Sequence, residues 1–402
     1  MKFWTIFCFS VFLLFCRSNP PKSGFVDLKG NWVIPPNFDH AEDFSEGYAV
    51  VKEQDKWYFI DPQGKRLPGS YEFQVGNFQN GLALSRLSHY SYGYVDKSGT
   101  LKFPTHFKYA FDFKDGYALV AEDWIPKTGG ALHPNYYFYY INTKGEKLVS
   151  FPKLAMAHEV QDLYVNDGFF PVNCGKEGWG FMDQNGKFKI PCSFDRVSSF
   201  SEGMAVVGQK ETEDSKFSYG YVNGKGDLSI PYKYTYAGSF RNGLALVSEV
   251  SKEGDTLGKF YYINKLGVQA IPETFSYAKD FSEGFAFVSY TVMENGYETS
   301  YNKFIDPAGR DIFKLGGSMG YACNFKNGFA GVNLFIPLKE EDIKEDMDFS
   351  KMGTSYGVFI DLKGKQASVK FPDQSFANWQ QGTHLSCAIS GGLVRKKVFS
   401  KK

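Results

Sequence analysis

Short apolar runs separated by polar turns return in the same order nine times along this chain. One recurring element is aromatic–aliphatic–Asp/Asn–x–x–Gly. It appears as "FVDLKG" (25–30), "FIDPQG" (59–64), "YVDKSG" (94–99), "YINTKG" (140–145) and "FMDQNG" (181–186), then as "YVNGKG" (221–226), "YINKLG" (262–267), "FIDPAG" (304–309) and "FIDLKG" (359–364). A second element is "FSEGYAVV" (44–51), repeated as "FSEGMAVV" (200–207) and "FSEGFAFV" (281–288). Its first position falls at 44, 78, 113, 165, 200, 240, 281, 325 and 379. From the Asp/Asn to this position there are 17 residues in six units, and 18, 19 or 23 in the others. From it to the next Asp/Asn the spacing runs from 17 to 36. Each unit therefore has a fixed body and one loop of variable length, as in a tandem array with insertions on one face.

Period-2 apolar runs of four to six residues bounded by Asp, Asn, Gly and Pro predict strands and tight turns, not helices. Asp-x-x-Gly between two such runs predicts a hairpin turn, in which the Asp bonds the backbone two residues on and Gly takes the positive-φ position. The strand that follows ends in Pro, as in "WVIP" (32–35), "FKIP" (188–191) and "LSIP" (228–231), which marks a strand end or an unpaired edge. In the second motif the residue before Gly is Glu46, Glu202 or Glu283, but elsewhere Asn80, Asp115, Asp167, Asn242, Asn327 or Gln381. A general acid or base does not survive exchange for an amide, whereas a turn position does. The glycines of both motifs are thus read as structural: Gly30, Gly64, Gly99, Gly186, Gly226, Gly267 and Gly309 in the first, Gly47, Gly81, Gly116, Gly203, Gly243, Gly284 and Gly328 in the second. Ala recurs two residues after the second Gly (Ala49, Ala83, Ala118, Ala205, Ala245, Ala286, Ala330), which predicts close packing against a neighbour.

This pattern resembles the WG-repeat family of bacterial tandem β-repeats over about residues 24–397. The naming Trp-Gly is intact at Trp179-Gly180, and Tyr92-Gly93, Tyr219-Gly220 and Tyr356-Gly357 keep an aromatic before Gly. The expected fold is all-β: about nine three-stranded β-meander units starting near 24, 58, 93, 138, 180, 220, 261, 303 and 357. A curved or superhelical solenoid is expected, with a propeller-like ring as the alternative, since nine units exceed the four to eight blades usual in a closed propeller. The resemblance carries no general enzymatic activity, so a non-catalytic binding scaffold is expected. The alternatives are a glycan-active enzyme with a site assembled from several units, and a structural spacer.

Composition adds an address. Residues 3–15, "FWTIFCFSVFLLF", form an uncharged apolar run after Lys2, short for a membrane span but suited to a signal-peptide core. The run stops at Cys16, then "RSNPPKSG", and resembles a bacterial lipoprotein signal. That resemblance implies a signal of 1–15, a lipidated Cys16, a linker of 16–23 and a membrane-anchored envelope protein. A periplasmic or secreted protein is the alternative. With 45 basic and 44 acidic residues there is no general attraction to nucleic acid. Cys174, Cys192, Cys323 and Cys387 form no C-x-x-C pair and are expected as small core residues, with Cys174 and Cys192 the nearest pair able to bridge. The end, "RKKVFSKK" (395–402), is expected to be disordered, with 398–402 as a basic tail.

No calcium loop, H-E-x-x-H, G-x-S-x-G or P-loop is present, so no catalytic residue, metal or cofactor is assigned. Departures from the repeat carry the binding expectation. The insertion at 122–140 brings Trp124, His133, Tyr136 and Tyr137, and the one at 334–352 brings Glu340, Glu341 and Asp346. Such loops are expected to line one rim and contact a protein or an envelope polymer.

Overall fold

The computed structural model describes residues 21–103, 106–125, 135–153, 155–156, 160, 163–212, 215–249, 259–294, 296–313, 318–337, 353–372, 374–375, 383–390, 392 and 393–398. Those residues form an all-β tandem array of nine small sheets, apart from one short 3-10 turn, Gly175–Glu177. The sheets remain separate and no β-barrel closes among them.

The sequence unit and the sheet are offset by half. The second sheet pairs His40–Ala41 with Ala49–Glu53, and Ala49–Glu53 with Lys56–Ile60, all antiparallel. Its first two strands end one unit and its third begins the next. The sixth sheet repeats this with Arg196–Val197, Met204–Gln209, Ser218–Asn223 and Leu228–Tyr234. A full sheet thus runs from a two-residue inner strand, through the alanine-bearing strand and the Asp/Asn strand, to a proline strand. Because each unit is shared by two sheets, neighbouring sheets are tied by a short covalent link, as by Thr235 between the sixth and seventh.

The same offset closes the array. The first sheet needs an alanine-type strand before Lys22–Asp27, and the far end of the chain supplies it. Leu393–Val398 pairs antiparallel with Lys22–Asp27 through six residue pairs, from Lys22 opposite Val398 to Asp27 opposite Leu393. Val26, Ile389 and Val394 then share a core with Phe359 and Phe371 of the ninth sheet. Equivalent cores fill the other junctions, such as Phe25, Phe44 and Ala49 between the first and second sheets. The all-β tandem array is as read from the sequence. Of the two shapes weighed there, this terminal pairing selects the propeller-like ring over the open solenoid. It also corrects the reading of the C-terminus, because residues 395–398 are the closing strand. Arg395 bonds Asp43 at 2.8 Å, and the Lys396 ammonium lies 5.4 Å from the Trp32 ring centroid.

The alanine and Asp/Asn strands are buried on both faces, as in Met204–Gln209 and Trp179–Met182, whereas the proline strands are buried on one. Trp32–Phe38, Phe188–Phe194 and Leu228–Tyr234 share one burial sequence, with Ile34, Ile190 and Ile230 inward. The seven motif alanines are at most 2% exposed. The glycine of the naming dipeptide has its own cause. A Cβ on Gly180 would sit 2.7 Å from Cys192 N and Ile190 O, and one on Gly220 2.5 Å from Ile230 O. Register shifts at these points press the proline strand onto the Asp/Asn strand, leaving room only for hydrogen.

Cysteine pairing differs from the expectation. Cys174 bridges Cys192 within the fifth sheet, and Cys323 bridges Cys387, stapling the ninth sheet to the first. Cys174 follows Phe170–Asn173 and Cys192 lies in Phe188–Phe194, on either side of Trp179–Met182, while Cys323 follows Ser318–Ala322 and Cys387 lies in Thr383–Ser390 of another sheet, so their 18- and 64-residue separations say little about distance.

Candidate binding face

Both kinds of short turn lie on one face. In the second motif, Ser45 and Tyr48 exchange backbone hydrogen bonds around Glu46 (φ +49°) and Gly47 (φ +88°). Two successive left-handed residues are the type I′ hairpin turn, which explains Glu, Asp or Asn followed by Gly. The side chain before Gly then reaches onward. Glu46 accepts from Gly81 N–H (2.9 Å), Asn80 from Gly116 (3.1 Å), Asp167 from Gly203 (2.8 Å), Glu202 from Gly243 (2.9 Å) and Glu283 from Gly328 (2.8 Å). The residue before it does likewise, with Ser45, Ser201 and Ser282 donating to the carbonyls of Phe78, Phe240 and Phe325. What this position needs is an acceptor oxygen, so carboxylate and amide interchange. Burial opposes the charge on Glu46, but the Lys97 ammonium and the Gly81 N–H prevail and hold it below the usual carboxylate range.

Lys97 lies in the Asp96–Gly99 turn and Lys265 in the Asn264–Gly267 turn, and they bond the carbonyls of Glu46 and Glu202. The Asp-x-x-Gly turns therefore share the face of the Glu-Gly turns. In them the Asp or Asn Oδ1 accepts two backbone N–H groups, as Asp61 does from Gln63 and Lys65. Asn223 does the same with Lys225 and Asp227. Among the described residues no group of three or more His, Cys, Asp and Glu is placed to hold a metal ion.

Connections on the opposite face vary. The alanine strand and the Asp/Asn strand are separated by residues 54–55 in the second sheet, 210–217 in the sixth, 249–259 in the seventh and 338–352 in the ninth. Lys22 and Val398 also lie on this loop face, since their strands run toward and away from the turns at Asp27 and Gly392. Of the residues expected to line a rim, Trp124 falls within Tyr117–Ile125, opposite Tyr136. Tyr136 is 7% exposed and packs against Tyr109 and Phe138, so it is core, whereas Tyr137 is 50% exposed. His133, Glu340, Glu341 and Asp346 lie outside the described residues.

Sequence reading missed two features. The sequence places the ninth second-motif position at Trp379, which lies outside the described residues, and leaves the turn that ends the ring unrecognised. That turn is at Ile389–Val394, where Ser390 pairs with Leu393 and Asn327 Nδ2 donates to Ile389 O. The signal was the string "ISGGLV", with an aliphatic replacing Phe. The other feature is a polar band just before the motif Phe, including Asp43, Asn77, Asp112 and Asp280. Burial raises the pKa of Asp112, and of Asp280 too, where Arg241 opposes it. Asp280 Oδ1 is buried without a hydrogen-bond partner among the described residues.

A family model described as WG containing repeat matches residues 24–57, 92–123, 179–211, 219–249 and 262–290. No curated protein matches the chain. Among solved structures, "Crystal structure of the eukaryotic initiation factor" aligns at 13% identity and TM-score 0.42, covering 88% of this chain and 85% of that one. The WD40 domain of SCAP from fission yeast aligns at 9% identity and TM-score 0.30, covering 94% and 98%. At these TM-scores the likenesses carry no argument. A tandem β-repeat array is the kind of scaffold on which binding, not chemistry, is the usual role.

Proposed function

For a chain that carries tandem WG repeats, we propose a non-catalytic, exported binding scaffold, held at the membrane through a lipidated Cys16 and engaging a protein or envelope polymer through its loop face. The observation that carries this reading is the wide length variation of the links on one face. The turn face repeats the same short turns, while the links opposite run from residues 54–55 to residues 338–352. Scaffolds that hold loops of unequal length on a fixed frame put recognition in the loops. The two disulfides fit an oxidising compartment, where such bonds form and persist. Lys22 and Val398 lie on the loop face, so an anchor at Cys16 would tether that face toward the membrane surface.

Two experiments test it. Cells expressing the chain or Cys16→Ala are labelled with a palmitate analogue; label on the first alone supports the anchor, and label on both or neither refutes it. Affinity capture is then run with the links 126–134 and 338–352, which lie between strands, each replaced by a short turn. Loss of the captured partner supports the loop face, and an unchanged partner set counts against it.

A further inference from the structure

Where one junction departs from the repeat, it opens a groove. Five sheets pair the first residue of the inner strand with a residue on the alanine strand: His40 with Lys52, Tyr109 with Ala121, Arg196 with Gly208, Tyr236 with Ser248 and Tyr277 with Ser289. Of these five pairs, only that of the sixth sheet has Gly on the alanine strand, and only there is the opposing residue Arg. A Cβ on Gly208 would lie 3.1 Å from the Tyr219 ring and 3.3 Å from Arg196 Cβ, so any side chain would enter the space between them. The result is a cavity of about 260 Å³ between the sixth and seventh sheets, walled by Arg196, Gly208, Tyr219, Thr235 and Tyr236.

We infer that this groove binds a carboxylated sugar residue, as a unit of an acidic polysaccharide. The inference rests on the loop-face reading, because the groove opens beside the 210–217 link. Its volume lies just under the range of roughly 300–1,000 Å³ typical of small-molecule sites, which suits a single ring and not an extended peptide. Tyr219 is half-buried and Tyr236 is 43% exposed, giving flat aromatic walls for the C–H face of a sugar. Phe217 stacks on Tyr219 with centroids 6.0 Å apart, and the Arg196 guanidinium lies 4.8 Å from the Phe217 ring centroid. Stacking holds the guanidinium plane in place. Arg196 Nη1 donates to Tyr219 Oη at 3.4 Å, and no carboxylate pairs with Arg196 among the described residues. A guanidinium held against an aromatic ring, with no counter-charge among the described residues, is matched to a carboxylate, which it can bond in bidentate fashion. Tyr236 Oη and Thr235 Oγ1 supply acceptors for ring hydroxyls.

The test is calorimetric titration of the full processed chain with trigalacturonate, the neutral galactotriose and the ring-free tricarballylate. Trigalacturonate is expected to bind at least tenfold more tightly than either of the others. Arg196→Ala and Gly208→Leu are each expected to weaken it at least tenfold, with Arg196→Lys in between. Equal affinity for galactotriose means a neutral-sugar site, and equal affinity for tricarballylate a bare anion site; either overturns the inference, as does wild-type affinity in Arg196→Ala. If Gly208→Leu lowers the unfolding midpoint, the exposed Arg196→Ala variant decides. Absence of trigalacturonate binding, with partner capture still lost on loop replacement, defeats this inference and leaves the loop-face reading standing.

Discussion

The turn face carries the same hairpin at Glu46-Gly47, Glu202-Gly203 and Glu283-Gly284, each linked to the next turn by a side-chain oxygen. The loop face joins the corresponding strands through residues 54–55 in one sheet, 210–217 in another and 249–259 in a third. On the first face, five of the turns bond the next one through a side-chain oxygen, so geometry there is fixed by bonds between units and little can change. On the second, each link returns to its own sheet, so its length is free. The difference separates what keeps the ring together from what is available for recognition.

The comparison is broken most severely at the closure. Replacing Cys323 and Cys387 by Ala opens a 64-residue loop. Chain entropy puts the cost at roughly 4 kcal/mol, against about 3 kcal/mol for the 18-residue Cys174–Cys192 pair. Urea midpoints of the two double variants check the order; equal midpoints mean that strand pairing alone holds the ends. Next is Ala245→Phe, behind the turn face. Ala245 is 1% exposed, and overpacking there is expected to cost about 1–3 kcal/mol. An unchanged melting midpoint would rule out the close packing inferred from the recurring alanine.

A smaller effect has the opposite sign. Asp280 has a raised pKa, from burial first, with Arg241 opposing. Between the ordinary carboxylate value and its raised value, the folded chain holds more protons than the unfolded one, so stability falls as pH rises through that window. Asp280→Asn should therefore stabilise the ring at neutral pH and give little gain below the window. A variant that is less stable at pH 7 than the parent would contradict the raised value.

The strands and both turns were legible because they depend on local pattern: alternation, Asp-x-x-Gly, and an acceptor before Gly. The ring was not. Leu393–Val398 reads as a charged tail because Arg395, Lys396 and Lys397 carry the sequence signal. What makes it a strand is the unpaired edge of Lys22–Asp27, which sequence alone does not place beside it. The half-unit offset and the disulfides were hidden for the same reason, since they are set by which strands become neighbours. Tyr136 illustrates the limit at the candidate site. A tyrosine cluster in an insertion reads as a rim, but strand alternation turns Tyr136 into the core and leaves Tyr137 outside.

The most direct measurement replaces 249–259 by a two-residue turn like that at 54–55, and separately substitutes Glu202→Ala on the turn face, where the Gly243 N–H loses its acceptor. Unfolding midpoint and partner capture are read on both. The account predicts a midpoint within about 0.5 kcal/mol of the parent and altered capture for the loop replacement. It predicts a loss of about 0.5–1.5 kcal/mol with unchanged capture for Glu202→Ala. Capture lost on the turn-face substitution and kept on the loop replacement would contradict it.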